Sequence, residues 1–350
     1  MKSPTRRAVT SWLAGGALAA TALTITTGVM AQENWDQVVA AAEKEGTVTL
    51  YSNLQPNGIE PLLQKFREAY PKIKTEQIRL GSSPLVERFS TEFSAGRHLA
   101  DVMITYAEER VDEGMKNGWM LEWTPPEAKN FAPELNHKNL AFTIQQAREA
   151  IIWNKNLVKP GEEPKDWKDL FDPKWKGKIG MNPPWRSISI QQIVAYWEDK
   201  GLGDTAQKLK DMDVRFFEGS GGIIQAIIRG DIQVAELSDL PLNPLLADGA
   251  PVGFVYPDSG TTLSSNMTFV AKNAPHPNAG KVLVNWLMTE EGQKYLQEYC
   301  GLPVTRNGAP PLSHTPATAQ LKNAVDGATI LTPERSKKMV EHWRTVFGVK

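Results

Sequence analysis

Cysteine is almost missing from this chain of 350 residues: Cys300 stands alone. No intramolecular disulfide can form, and no cysteine-rich metal site is available. Histidine is nearly as scarce. His98, His137, His276, His314 and His342 are scattered, with no pair at the spacing that sets two imidazoles on one helical face. Basic excess is lacking too, since the formal charge is −1. That balance argues against nucleic acid, which needs a basic stripe, but leaves small anions open, because local donors decide there. Catalytic signatures are missing as well: no Gly-x-Ser-x-Gly elbow, no His-Glu-x-x-His, no Walker loop and no dinucleotide fingerprint. His98 near Glu92 and Asp101, and the Glu108-Glu109 pair, come nearest to a catalytic group, and neither assembles a nucleophile with a base. No catalytic residue, metal ligand or cofactor is expected. Beyond residue 31 no apolar run approaches the ~20 residues of a membrane span.

What is present begins with the first 31 residues. Met1 to Arg7 carries Lys2, Arg6 and Arg7 without an acid, and a small apolar run from Ala8 to Met30 follows. The run ends in Val29-Met30-Ala31, just before polar Gln32-Glu33-Asn34. A positive head, an apolar middle and a small-residue exit read as a secretory signal peptide cut after Ala31. The Ala, Gly and Thr in the middle make a poor permanent anchor. Thr5-Arg6-Arg7 leaves Sec and twin-arginine export both open. The expectation is a soluble, exported protein, long enough for two domains.

Along the remainder, helical and strand periodicities alternate. Trp35–Lys44 reads as an amphipathic helix, Thr47–Tyr51 as a β-branched strand, and Gly58–Tyr70 as a helix stopped by Pro71. Ile73–Leu80 and Asp101–Thr105 are further strands, with a helix opening near Pro84 between them. Such alternation predicts an open α/β sheet whose ligands bind beyond the carboxyl ends of the strands. Phe142–Trp153 is a long extended stretch that crosses between two lobes. Lys178–Met181, Val214–Phe217, Val234–Leu237, Val252–Tyr256 and Met267–Lys272 are later strands. Ala279–Tyr299 and Pro333–Val346 are helices.

The candidate ligand residues follow from those strand ends. Ser52 and Asn53 end the first strand, and Tyr106 follows the third. Gly81-Ser82-Ser83 and Gly219-Ser220-Gly221-Gly222 each join a strand to a helix. Amides and hydroxyls at a helix start suit an anion there, since those N–H groups lack partners and the dipole is positive; simple helix capping is the alternative. In the loop Asn182-Pro183-Pro184-Trp185-Arg186-Ser187, Arg186 reads either as a clamp for carboxylate or phosphoryl oxygens or as a solvated surface arginine. Trp185 beside it reads either as an apolar wall or as a packing residue, and Asp239 follows a later strand.

Several longer blocks carry a family likeness: Val48-Thr49-Leu50-Tyr51-Ser52-Asn53, Phe66 through Tyr70-Pro71, Ala100-Asp101-Val102, the run from Trp167 to Lys178 (WKDLFDPKWKGK), and Asn285 to Gln293. With these the chain resembles periplasmic solute-binding proteins of ABC importers, in the extracellular family 1 branch that includes ferric-iron binders. The resemblance implies an α/β, type II periplasmic binding fold with two lobes, a hinge and an interlobe cleft. Residues 32–141 and 257–350, with the C-terminal helices, would form the N-terminal lobe. Residues 142–256 would form the C-terminal lobe and hinge crossing, with Phe142–Gln146 and Tyr256–Ser264 linking the lobes. A small-molecule solute, an ABC permease in the inner membrane, no nucleic acid and a monomeric state are the expected partners and assembly.

Ferric-iron members place a tyrosine pair shortly after the strand matching Gln233–Leu237, where this chain has Leu240-Pro241. Phenolate suits hard Fe(III), so iron is not expected. Other relatives resemble binders of sugar phosphates, phosphonates, thiamine and polyamines. The serine- and glycine-rich loops with Arg186 favour an organic anion bearing a phosphoryl or carboxylate group. Asp239 and Glu236 keep a cationic solute of the thiamine or polyamine type as the alternative, and a secreted hydrolase is the rival class.

Overall fold

Local sequence explains most of the first elements. The β-branched run of β1 (Thr47–Ser52) follows helix α1 (Trp35–Glu45), which Gly46 ends in a left-handed turn. In α2 (Pro56–Ala69) Pro56 occupies the first turn, and Ile59, Leu62, Leu63 and Phe66 recur at helical spacing and are all buried. These features belong to a computed structural model that describes residues 34–106, 111–239, 241–301 and 303–349. The expected signal peptide and its Ala31 cut, the Glu108-Glu109 pair and Leu240 lie outside the described residues. Among the described residues no helix is long and apolar enough to cross a membrane.

The chain continues through β2 (Lys74–Arg79), α3 (Ser82–Ser94), β3 (Val102–Tyr106), α4 (Val111–Lys116), β4 (Asn136–His137) and β5 (Ala141–Asn154). Then come β6 (Ile179–Met181), α5 (Ile188–Asp199), α6 (Thr205–Asp211), β7 (Arg215–Phe216), α7 (Ser220–Arg229), β8 (Val234–Ser238), α8 (Leu242–Ala247) and β9 (Val252–Val255). The last elements are β10 (Thr262–Val270), α9 (Pro277–Met288), α10 (Glu290–Cys300), β11 (Val325–Asp326) and α11 (Pro333–Phe347).

Two sheets share one strand. In the first, β2, β1 and β3 run parallel, and β10 pairs antiparallel with β3 and β5. In the second, β8 and β9 pair antiparallel with β5, while β6 runs parallel to β7 and β8. The fourteen residues of β5 serve both. Residues Phe142 to Arg148 pair with β10, and Glu149 to Trp153 pair with β8. The handover falls between Arg148 and Glu149. The return path runs through Gly260, whose φ of 115° suits glycine and whose carbonyl accepts from Trp167 Nε1 at 2.8 Å.

Both faces of each sheet are covered, which is why the strands read as nearly continuous apolar runs. Val48, Leu50, Leu62, Phe66 and Trp286 fill one face of the first sheet, and Phe89, Trp119 and Phe269 the other. Trp167, Trp197 and Trp343 anchor one core of the second sheet, and Ile223, Ile227, Leu237 and Val252 form its opposite core. The Trp167–Lys178 block is thus structural: Trp167, Leu170 and Trp175 are buried, Asp169 Oδ2 accepts from Asp166 N at 2.9 Å at the start of its first turn, and Asp172 Oδ1 accepts from Lys174 N at 3.0 Å at the start of its second.

Two expectations need correction. The single helix read over Ala279–Tyr299 is two, because Thr289 ends α9 and caps α10 by accepting from Gly292 N at 3.0 Å. Helix α11 does not join the first sheet's core, where the lobe boundaries put it. Its Met339 and Trp343 are buried with Trp167 and Trp197 on the second.

Candidate functional site

The carboxyl ends of strands from both sheets meet where β5 changes sheet. Two adjoining cavities open there. The inner one, of about 200 Å³, is bounded on the first-sheet side by Asn53, Arg79, Ser82 and Tyr106, and on the second by Asn182, Arg186, Ser187 and Ser220. Ala147 and Glu149 of β5 and Ser238 of β8 also face it. The outer one, of about 1200 Å³, shares Gln55, Arg79, Gly81, Arg186, Gly219 and Ser220 with it and adds Gly221 and Lys294.

Two helix starts border this space. Gly81 caps α3 and Gly219 caps α7, so in both cases the serine is the first helical residue and not the cap. Neither helix start is closed by a side-chain capping bond, so these amides remain available for an anion. Gly219 sits at φ 86°, which favours glycine, and its N–H donates to Asn182 Oδ1 at 2.8 Å. Asn53 Nδ2 donates to Ser82 Oγ at 3.2 Å, tying the end of β1 to the start of α3.

Of the twelve residues picked from sequence, Asn53, Ser82, Tyr106, Arg186, Ser187 and Ser220 line the inner cavity, and Gly221 lines the outer one. Ser83 lies in the first turn of α3. Four stand elsewhere. Ser52 is fully buried, and its Oγ accepts from Leu54 N at 3.0 Å. Trp185 is no cleft wall: its ring meets Phe216 edge-on, with centroids 5.0 Å apart, and lies near Phe347. Gly222 abuts Phe217, which a Cβ there would touch at 3.4 Å. Asp239 is buried as the partner of Arg148 and has no free charge to offer a cation. Arg186 borders the cavity, yet it is 58% exposed and pairs with Glu218 at 3.0 Å, so it is a surface clamp and not a buried one.

The sequence reading missed Arg79, Asn182, Glu149 and Ser238. Arg79 ends β2 two residues before the α3 cap, a position the strand-end rule itself marks. It donates to Leu54 O at 3.3 Å and to Gln55 Oε1 at 3.4 Å. Glu149 is fully buried and Glu236 is 1% exposed. None of their four carboxylate oxygens has a hydrogen-bond partner among the described residues. Burial pushes Glu149 up to about 7, with the nearby Glu236 carboxyl and Ser189 hydroxyl offsetting part of the rise and Asp239 adding to it. Burial first, and Glu149 second, drive Glu236 well above the carboxylate range. Tyr106 is also driven upward, chiefly by burial and then by Asp239 and Glu149. Asn53 Oδ1 is another buried acceptor without a partner among the described residues.

Comparison with known proteins places this architecture. The chain belongs to the bacterial extracellular solute-binding protein family, whose profile matches residues 61–325. It is 26% identical over 295 residues to a Salmonella typhi periplasmic protein named for 2-aminoethylphosphonate binding, covering 79% of this chain and 85% of that one. It is 25% identical over 269 residues to iron uptake protein A1 of Synechocystis, covering 72% and 73%. Among solved structures, the periplasmic binding protein AfuA of Actinobacillus pleuropneumoniae, with fructose-6-phosphate bound, superposes with a TM-score of 0.77 at 20% identity, covering 87% of this chain and 99% of that one. The α/β, periplasmic-binding-protein fold expected from the sequence is the fold observed.

Proposed function

We propose that this protein is exported to the periplasm, with its leader removed after Ala31. There it captures a small organic anion, with a phosphoryl or carboxylate group, and hands it to an inner-membrane ABC permease as a monomer. One observation carries the anion reading: the open starts of α3 and α7 border the same cavity, joined there by the guanidinium groups of Arg79 and Arg186. Each helix start brings unpaired N–H donors and positive potential, and each guanidinium matches a fork of anionic oxygens. The names of the Salmonella relative and of the AfuA complex, one a phosphonate and one a phosphate ester, point the same way.

Capture would work by population shift. An anion bridging both rims contacts a closed cleft better than an open one, and β5 with the return path near Gly260 would act as the hinge. The protein would perform no chemistry on the solute. Among the described residues no histidine lines either cavity, so Ser82, Ser187 and Ser220 lack the imidazole of a Ser-His pair. Mass spectrometry of solute released by denaturing freshly purified protein tests the reading. A phosphoryl or carboxylate compound at near one equivalent is expected; a solute without an anionic group overturns it.

A further inference from the structure

We propose that the same cavity holds a second recognition point, in which Glu149, backed by Glu236, receives a cationic nitrogen of the solute. The solute would then be a zwitterion, with its anion toward Arg79, Arg186 and the two helix starts and an ammonium toward β5. This rests on the anion reading above and extends it.

Glu149 faces the inner cavity, is fully buried, and has no hydrogen-bond partner for either oxygen among the described residues. Glu149 stands opposite Ser238 in the β5–β8 register, and Glu236 is two residues before Ser238, so both acids lie on the same sheet face. An ionised carboxylate without a partner is costly to bury, and a protein keeps one where something else supplies the missing charge and donors. Among the described residues the fold brings the Ser189 hydroxyl near Glu149 but no counter-charge, although an arginine is adjacent: Arg148 turns to the opposite face and binds Asp239.

The chemistry of the pair selects the cation. Two carboxyl groups in one dry site disfavour a second negative charge, which leaves one between them and suits a monocation. Among the described residues no cluster of three or more His, Cys, Asp or Glu is placed to hold a metal ion. A primary ammonium has three donors, and Glu149 with the orphaned Asn53 Oδ1 offers acceptors for them. The small inner cavity suits a compact head group of that kind.

The test is calorimetry with two probes that differ only at that end: 2-aminoethylphosphonate and propylphosphonate, in which a methyl replaces the ammonium. Wild-type protein should bind the amine at least about tenfold more tightly, and Glu149→Gln should erase that preference. Equal binding of both probes by wild type, or a preference that survives in Glu149→Gln, overturns the ammonium subsite and leaves the anion reading standing. Binding of neither phosphonate overturns this inference, and the solute released on denaturation then decides the anion reading. The wild-type comparison decides even if the variant folds poorly.

Discussion

Two buried acids lie within reach of the same stretch of β5, and their treatment could hardly differ more. Asp239 is enclosed by donors. Arg148 Nε reaches its Oδ2 at 2.5 Å, Arg148 N its Oδ1 at 3.0 Å, and Tyr256 Oη its Oδ2 at 2.9 Å. Arg148 is in turn held by Thr315 Oγ1 at 3.1 Å and by the Pro316 carbonyl, and it lies over the Tyr256 ring. Glu149, the next residue along the strand from Arg148, has no hydrogen-bond partner among the described residues. One acid is part of the framework that ties β5, β8 and the 315–316 segment together. The other faces a cavity. A fold that completes one buried charge and leaves its neighbour open separates structural electrostatics from electrostatics kept for a ligand.

The largest effect should come from breaking the completed site. Arg148→Leu leaves Asp239 buried without its counter-charge, and removing one partner of such a pair typically costs about 3–5 kcal/mol. Urea unfolding at neutral pH measures it; a loss within ~1 kcal/mol would mean the pair is no more structural than a surface bridge.

The open site should act in the opposite direction, and through pH. The folded-state pKa of Glu149 is raised to about 7 and that of Glu236 is raised well above the carboxylate range. The folded protein therefore holds protons that the unfolded chain releases above about 4.5, the ordinary carboxylate range. The stability linked to this pair is complete below that range and falls as pH rises through about 7. Ligand-free wild type should lose on the order of 1–3 kcal/mol between pH 5 and pH 8, and Glu236→Gln should flatten that slope. A slope equal in both proteins would show that the pair is hydrated or paired in solution.

Smaller effects are expected at the rim. Both arginines are exposed, but Arg79 has only a carbonyl and an amide oxygen to leave, whereas Arg186 must part from the Glu218 carboxylate to reach a solute. Arg79→Ala should therefore weaken phosphonate binding by about tenfold or more, and Arg186→Ala by less. Calorimetry on both variants ranks them, and the reverse order would relocate the anion. Iron should have the least effect: ferric citrate should give no phenolate charge-transfer band. The Tyr51 hydroxyl donates to Glu92 at 2.8 Å and that of Tyr256 to Asp239, and burial pushes Tyr51 up to about 12. A coloured one-to-one complex would contradict this.

Arg148 and Glu149 also show how far sequence carries. Strands buried on both faces announce themselves by composition, and the rule that ligands gather at strand ends led to Asn53, Ser82, Tyr106 and Ser220, which line the inner cavity. Side by side in the sequence, Arg148 and Glu149 give no sign of which partner each one meets. In a strand, successive side chains leave by opposite faces, so the two part company, and only the register with β8 shows which acid Arg148 meets. The same ignorance of register made Asp239 look like a cation site. Trp185 takes its packing reading and not the cleft wall for a related reason, since neighbours in a loop need not face the same way.

The central claim is that Glu149 is kept for a solute at the expense of the empty fold. The direct measurement is denaturant unfolding at pH 7.5 of wild type and Glu149→Gln, each with and without saturating 2-aminoethylphosphonate. The account predicts that the variant is the more stable of the two when empty, and that the ligand stabilises wild type more than the variant. A variant that is less stable when empty, and stabilised by ligand as much as wild type, would contradict it.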